Sequence, residues 1–418
     1  MPAGGRTGRG RGGRRVAQGG FGASRPDSRG AAAPLRRAHN PRREGPVTTN
    51  RETLVRLFDE GRIDLARAPF LDEAPAPAEA PAWDRVEGML LGLAIGDALG
   101  NPVEGTLPSS RRARFGEIRD YVENRHAGGR KVGLPTDDTQ LAFWTLEQAL
   151  LDGGLDPAKL AARFASERIL GIGSGTAEFV ENVRRGLPWE DCAARSAGNG
   201  ALMRIAPVLV PHLSRPSAEL WADVALAARV THDDTASTGS CLALADLLWK
   251  SMRMETPPPP RFWADRFLEV LAPLETDALY GPRGGDWRSS FEGSLSEYVR
   301  LVLGEARRRG WGTGEALDRW WSGAFLLETV PSVLWILERH AHDPEEAILA
   351  AVNHAKDADT AGAIVGAVAG ALHGRAKVPG RLLSGLLGRT RANDDGRAFE
   401  LLRLARERFG PGEAAPGA

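Results

Sequence analysis

Residues 356–372 read KDADTAGAIVGAVAGAL, and this stretch decides the architecture. From Ala361 to Leu372 every residue is small or apolar and none is charged. The run is too short and too rich in glycine to span a bilayer. A helix here must therefore be buried on all sides within a protein. Its first turn then points into protein too, and that turn carries Asp357, Asp359 and Thr360.

Working outward, apolar residues recur at three- and four-residue spacing in Val86–Leu99, Leu141–Leu151, Leu220–Val230 and Ser237–Lys250. The same spacing returns in Ser294–Arg307, Leu327–His340 and Pro344–Asn353, while strand-like alternation is nearly absent. The pattern predicts an all-α fold, a single compact many-helix domain over residues 83–410. The Pro-rich Thr256–Pro260 and Gly-rich Tyr280–Asp286 read as surface loops. Residues 47–82 read as a short amphipathic helix, within Arg51–Phe70, followed by a Pro/Ala linker at Asp72–Ala82. Residues 1–46, rich in Arg and Gly and without apolar period, are expected to be a disordered basic tail, and 411–418 a disordered C-terminus.

The formal net charge of zero hides an asymmetry. Residues 1–50 hold eleven Arg against Asp27 and Glu44, a net charge of about +9, which leaves about −9 on the remainder. Such a tail offers weak phosphate contacts, but an acidic body argues against nucleic acid as the main partner. Cys192 and Cys241 form neither a metal-spaced pair nor a disulfide framework. They are expected as small buried hydrophobes in a reducing cytoplasm. With no secretory segment and no span, the expectation is a cytoplasmic monomer with no membrane partner.

Thr136, Asp137, Asp138 and Thr139 precede the helical run 141–151 much as Asp357, Asp359 and Thr360 precede 361–372. One explanation is capping, since Asp and Thr suit helix N-termini and acids there gain from the helix dipole. Capping needs one such residue, however, and adjacent buried carboxylates are costly without a counter-charge. Lys356 alone cannot neutralise four acids. The other explanation is a pair of hard divalent cations, which oxygen ligands on two converging helix ends suit better than zinc.

Taken in order, the landmarks are Gly92-Leu-Ala-Ile-Gly-Asp97-Ala-Leu-Gly100 with Glu104, Pro135-Thr-Asp-Asp-Thr139, and Gly171-Ile-Gly173. Gly198-Asn-Gly-Ala-Leu-Met-Arg204, Thr231-His232, and Asp357-Ala-Asp-Thr360 with Gly366 and Gly370 follow. In that order they resemble the ADP-ribosylglycohydrolases. The resemblance implies an all-α fold with a two-metal site in a cleft, holding Mg²⁺ or Mn²⁺. It implies Thr136, Asp137 and Asp138 as ligands on one side and Asp357, Asp359 and Thr360 on the other. Glu104 would be a mobile general base, with Asp138 and Asp359 also essential to catalysis. Gly171, Gly173, Ser196, Gly198, Asn199, Gly200 and His232 would bind substrate. The implied reaction is cleavage of the glycosidic bond of an ADP-ribosylated protein or a small ADP-ribosyl conjugate such as an acylated ADP-ribose. A non-catalytic ADP-ribose-binding member is the alternative of a different class.

Asp97, on an apolar helix, reads first as a buried structural or supporting acid. Gly366 and Gly370 read as close helix packing, and Arg204 as the partner of a buried acid. The family usually has glycines before the second acidic cluster, where this chain has Ala355 and Lys356. Ser196, with Asp191 farther off, stands where arginine-specific members can carry a carboxylate, which puts that specificity in doubt.

Overall fold

The computed structural model describes residues 48–411; the expected basic tail and residues 412–418 lie outside them. Thr49 opens the fold with a capping box: its hydroxyl accepts from the Glu52 amide, and the Glu52 carboxylate accepts from the Thr49 amide. The helices that follow are α1 (Asn50–Asp59), α2 (Trp83–Gly100), α3 (Pro108–Phe115), α4 (Asp137–Asp152), α5 (Pro157–Ser166) and α6 (Ser174–Arg184). Next come α7 (Glu219–Arg229), α8 (Thr235–Ser251), α9 (Phe262–Leu271), α10 (Leu295–Arg309) and α11 (Thr313–Arg319). The last are α12 (Leu326–His340), α13 (Pro344–His354), α14 (Ala358–His373), α15 (Gly380–Gly385) and α16 (Arg397–Phe409). Among the described residues the only strands are β1 (Glu123–Asn124) and β2 (Arg130–Lys131), a short antiparallel pair. The fold is all-α, and each apolar period read from the sequence coincides with a helix to within one residue.

At the centre, α2 and α14 run antiparallel in close contact. Gly88 faces Gly370, Gly92 faces Gly366, Gly96 faces Gly362, and Gly100 abuts Asp359. A Cβ on Gly92 or Gly96 would overlap the carbonyl of the glycine opposite. Only hydrogen side chains let the backbones approach this far, as read for Gly366 and Gly370. The whole of α14 from Ala358 to Leu372 is buried, as its composition requires.

Satellite helices brace this pair. Leu54 and Leu57 of α1 are buried, and Asn50 Nδ2 donates to Asp223 of α7 at 2.6 Å. The stretch expected as a linker lies against α8. There Trp249 Nε1 donates to the Pro77 carbonyl at 2.9 Å and Arg253 Nε to that of Glu79 at 2.7 Å. At the other end, Glu147 of α4 takes Arg163, Arg391 and Arg397 on its carboxylate, which ties α16 and the segment before it to α4. The buried face of α16, Ala398, Leu401, Leu402 and Ala405, was hidden in the sequence among its arginines.

Candidate active site

The register of α2 on α14 brings the end of one helix to the start of the other. Asp97, fully buried near the end of α2, accepts from the Thr136 amide at 2.9 Å and the Thr139 amide at 3.0 Å. It also accepts from both threonine hydroxyls, at 2.8 and 2.6 Å. The free N–H groups at the start of α4 are thus capped from another helix by one carboxylate. Neither Thr136 nor Asp357 makes a capping hydrogen bond with its own side chain. Capping therefore does not account for Asp137, Asp138 or Asp357.

What remains is a crowd of carboxylates. Asp97, Asp138 and Asp359 each bring one oxygen within 4.8 Å of the others, and so do Glu104, Asp357 and Asp359. Asp359 belongs to both groups. Burial, then the neighbouring carboxylates, push Asp137, Asp138 and Asp359 well above the usual carboxylate range. Burial also raises Asp97 and Asp357, against the hydrogen bonds each accepts. Glu104, solvent-accessible at the rim, is raised by partial burial and by Asp357 and Asp97. Asp138 Oδ1 is buried with no hydrogen-bond partner. A buried acceptor left open among like charges is the donor set a hard cation satisfies. The oxygens present fit such an ion.

These groups floor a cleft of about 150 Å³. Glu104, Asp137, Asp138, Asp357, Asp359 and Thr360 line it, together with Gly171, Gly173, Ser196, Gly198, Asn199, Gly200 and His232. Thr136 is buried beneath Asp97 and does not reach the lining. Gly171 has φ +71°, and a Cβ there would press on Asp137 Oδ1 at 3.2 Å. Gly173 is the N-cap of α6, without a side-chain cap, so the first amides of that helix are open to the cleft. On the opposite wall Gly198 bridges to Phe325, and the Ser196 hydroxyl accepts from the Gly198 amide at 3.2 Å. The Asn199 side-chain amide is already engaged, donating to Asp357 Oδ2 at 2.6 Å and to the Thr329 hydroxyl at 3.0 Å. It aims a carboxylate.

Asp357 is held from behind as well. Trp321 and Ser322 adopt positive φ, 78° and 33°, a costly conformation for residues with side chains. It turns the Ser322 carbonyl to accept both the Lys356 and Asp357 amides, at 3.1 and 3.0 Å. Lys356 itself points away from the cleft: its ammonium pairs with Asp318 at 3.0 Å and lies 4.5 Å from the centre of the Trp321 ring. Asp191, similarly, pairs with Arg62 at 2.8 Å outside the cleft, which leaves Ser196 on the lining.

Two expectations are corrected. Among the described residues Arg204 has no acid partner. It donates to the Ala227 carbonyl at 3.0 Å and the Thr231 hydroxyl at 2.7 Å, with Phe164 under its guanidinium. The carbonyl end of α7, carrying the negative pole of the helix, takes the place of a carboxylate. The Gly-rich loop at 280–286 is also more than a surface connection, since Arg283 lines the cleft while its amide donates to Glu328 at 3.0 Å. Sequence reasoning did not assign Gly175, Thr176 or Arg283 to the cleft they line, and nothing in their spacing marks them.

The ADP-ribosylglycohydrolase family model matches residues 78–411. The ADP-ribosylarginine hydrolase Tri1 of Pseudomonas putida is 28% identical, covering 73% of this chain and 79% of that protein. The ADP-ribosyl-[dinitrogen reductase] glycohydrolase of Rhodospirillum rubrum is 27% identical, over 72% of this chain and 90% of its own. Among solved structures, an ADP-ribosylglycohydrolase-related protein complex superposes with a TM-score of 0.56 at 29% identity, covering 78% of this chain and 97% of that one.

Proposed function

Since the chain belongs to the ADP-ribosylglycohydrolase family, we propose that it is a metal-dependent hydrolase that cleaves the glycosidic bond of an ADP-ribosylated protein and releases ADP-ribose. The observation that carries this reading is the buried, uncompensated carboxylate crowd around Asp359 on the floor of a glycine-walled cleft. Asp137 and Asp138 on one helix end, and Asp357, Asp359 and Thr360 on the other, would hold two divalent cations, Mg²⁺ or Mn²⁺, while Thr136, expected as a further ligand, spends its hydroxyl on Asp97 and Asp138 behind them. When bound, the cations would supply Lewis-acid coordination of the ribose hydroxyls and a lowered pKa for the attacking water.

The chain's own groups do the rest. Glu104, exposed at the rim of the cleft, takes the proton of the attacking water. The open amides of α6 and the small residues Gly171, Gly173, Gly198 and Gly200 let backbone N–H groups approach a diphosphate. Asn199 keeps Asp357 aimed at the floor. Residues 83–410 are the catalytic domain in this reading. The buried, unpaired Cys192 and Cys241 suit a reducing cytoplasm, and no helix among the described residues is long and apolar enough to cross a membrane.

The test is release of ADP-ribose from arginine-, serine- and acyl-linked conjugates, with Mg²⁺ or Mn²⁺ and with chelator. Metal-dependent release from a protein conjugate supports the reading. Release from the free acylated nucleotide alone would move the substrate to a metabolite. Binding of ADP-ribose without any release would replace the enzyme with a binding protein.

A further inference from the structure

A fully buried arginine with no carboxylate partner calls for an explanation. Arg204 is 0% exposed, and two of its three guanidinium nitrogens, Nε and Nη1, have no hydrogen-bond partner. The third, Nη2, carries both of its contacts, to the Ala227 carbonyl and the Thr231 hydroxyl. Burying a cation in this way is costly, so the position it enforces matters.

Follow the protons outward. A guanidinium has no acceptor, so the Thr231 oxygen must receive the Arg204 N–H. The remaining contact of that hydroxyl among the described residues is His232 Nδ1, at 2.8 Å. A buried hydroxyl proton without an acceptor is costly, so the threonine proton goes to Nδ1, which acts as an acceptor. A neutral imidazole that accepts at Nδ1 carries its hydrogen on Nε2. The ring is held neutral because it is buried beside Arg204.

Nε2 is where the glycines of the cleft converge. A Cβ on Gly175 would come within 2.7 Å of Nε2, one on Gly200 within 3.3 Å, and one on Gly198 within 3.5 Å. Three residues without side chains leave this one nitrogen uncovered, beside the open amides that start α6.

We infer that Arg204 and Thr231 are positioning residues that lock His232 as the neutral Nε2–H tautomer, a preset hydrogen-bond donor to an anionic oxygen of the substrate. The anion is a diphosphate oxygen of ADP-ribose, and this identification rests on the function proposed above. Gly175, Gly198 and Gly200 keep the donor open.

The experiment reads the tautomer directly. The full chain, labelled with ¹⁵N-histidine, is examined by long-range ¹H–¹⁵N correlation without ligand, with His232 assigned through His232→Gln. The expected signal is a single neutral Nε2–H ring in the unmodified protein. Thr231→Val should turn it into a mixture of tautomers and Thr231→Ser should restore it. An Nδ1–H ring in the unmodified protein, or a Thr231→Val spectrum identical to it, overturns the relay. In parallel, ADP-ribose binding by calorimetry should weaken about tenfold in Thr231→Val, the worth of one misdirected donor. Gly175→Ala should weaken binding comparably with the tautomer unchanged. Unaltered binding in both variants would refute the donor role, whereas a chain that binds no ADP-ribose at all would fail the functional reading and leave the spectrum to judge the relay.

Discussion

Gly96→Ala separates packing from propensity, because the two act with opposite sign. In an exposed helix, Ala is better than Gly by about 1 kcal/mol. At Gly96 the added methyl would overlap the Gly362 carbonyl, and that obstacle is backbone with no rotamer to escape into. Restoring ordinary contact requires α2 and α14 to part by on the order of 1 Å. Overpacking costs about 1–3 kcal/mol, and a backbone obstacle puts this case at the upper end. The net expectation is a loss of about 2 kcal/mol, or about 3 °C in Tm for a domain of this size. Gly304 is the matched control: it sits in α10, exposed, with nothing within 4 Å of where a Cβ would stand. Gly304→Ala should gain up to about 1 kcal/mol. Thermal unfolding of both variants in metal-free buffer is the assay. Shifts in the same direction, or a stabilised Gly96→Ala, would refute the account of how the two acidic helix ends are held together.

Asp359→Asn should behave oppositely with and without metal. Without it, removing one charge from the buried crowd should raise the Tm; with Mn²⁺ in large excess, the stabilisation expected in the parent, about 2.7 kcal/mol at a hundredfold Kd, should disappear along with turnover. Thermal scans with and without chelator decide it. Glu104→Gln should keep the metal-induced Tm shift while kcat falls by about 10²–10⁴, and an equal loss of both would make Glu104 a ligand instead of a base. Glu328 offers a pH test. Its carboxyl is pushed up to about 7, chiefly by burial, although it accepts backbone N–H groups from the Gly-rich loop and from Gly323. A folded-state pKa raised above the unfolded one gives stability that is full below the unfolded value and lost as pH rises through 7, at most about 3 kcal/mol here. In Glu328→Gln the decline in Tm between pH 5 and pH 8 should shrink; an unchanged decline would place its cause elsewhere.

The acids proposed as metal ligands were legible in the chain because the composition around them is unusual. An uncharged Gly/Ala helix preceded by two acids has no exposed solution, and so Asp357, Asp359 and the burial of α14 followed from residues 356–372 alone. The helices with a strong apolar period were readable for the same reason, since periodicity records which face is buried. Residues 262–271, 174–184 and 397–409 were not singled out. Nor did the sequence assign Asp97 its cap on α4, because that partner lies on another helix. The resemblance implies that Asn199 binds substrate, and only the fold places Asp357 Oδ2 within 2.6 Å of its amide. Arg204 looked like half of an ion pair, and only packing substituted a helix end and a threonine for the acid. The sequence by itself determined which residues carry charge, which helices must be buried, and that the acids stand at helix starts. The tertiary structure decided which carboxylates share a site and which way each donor faces, because both depend on distances set by the antiparallel contact of two glycine-lined helices.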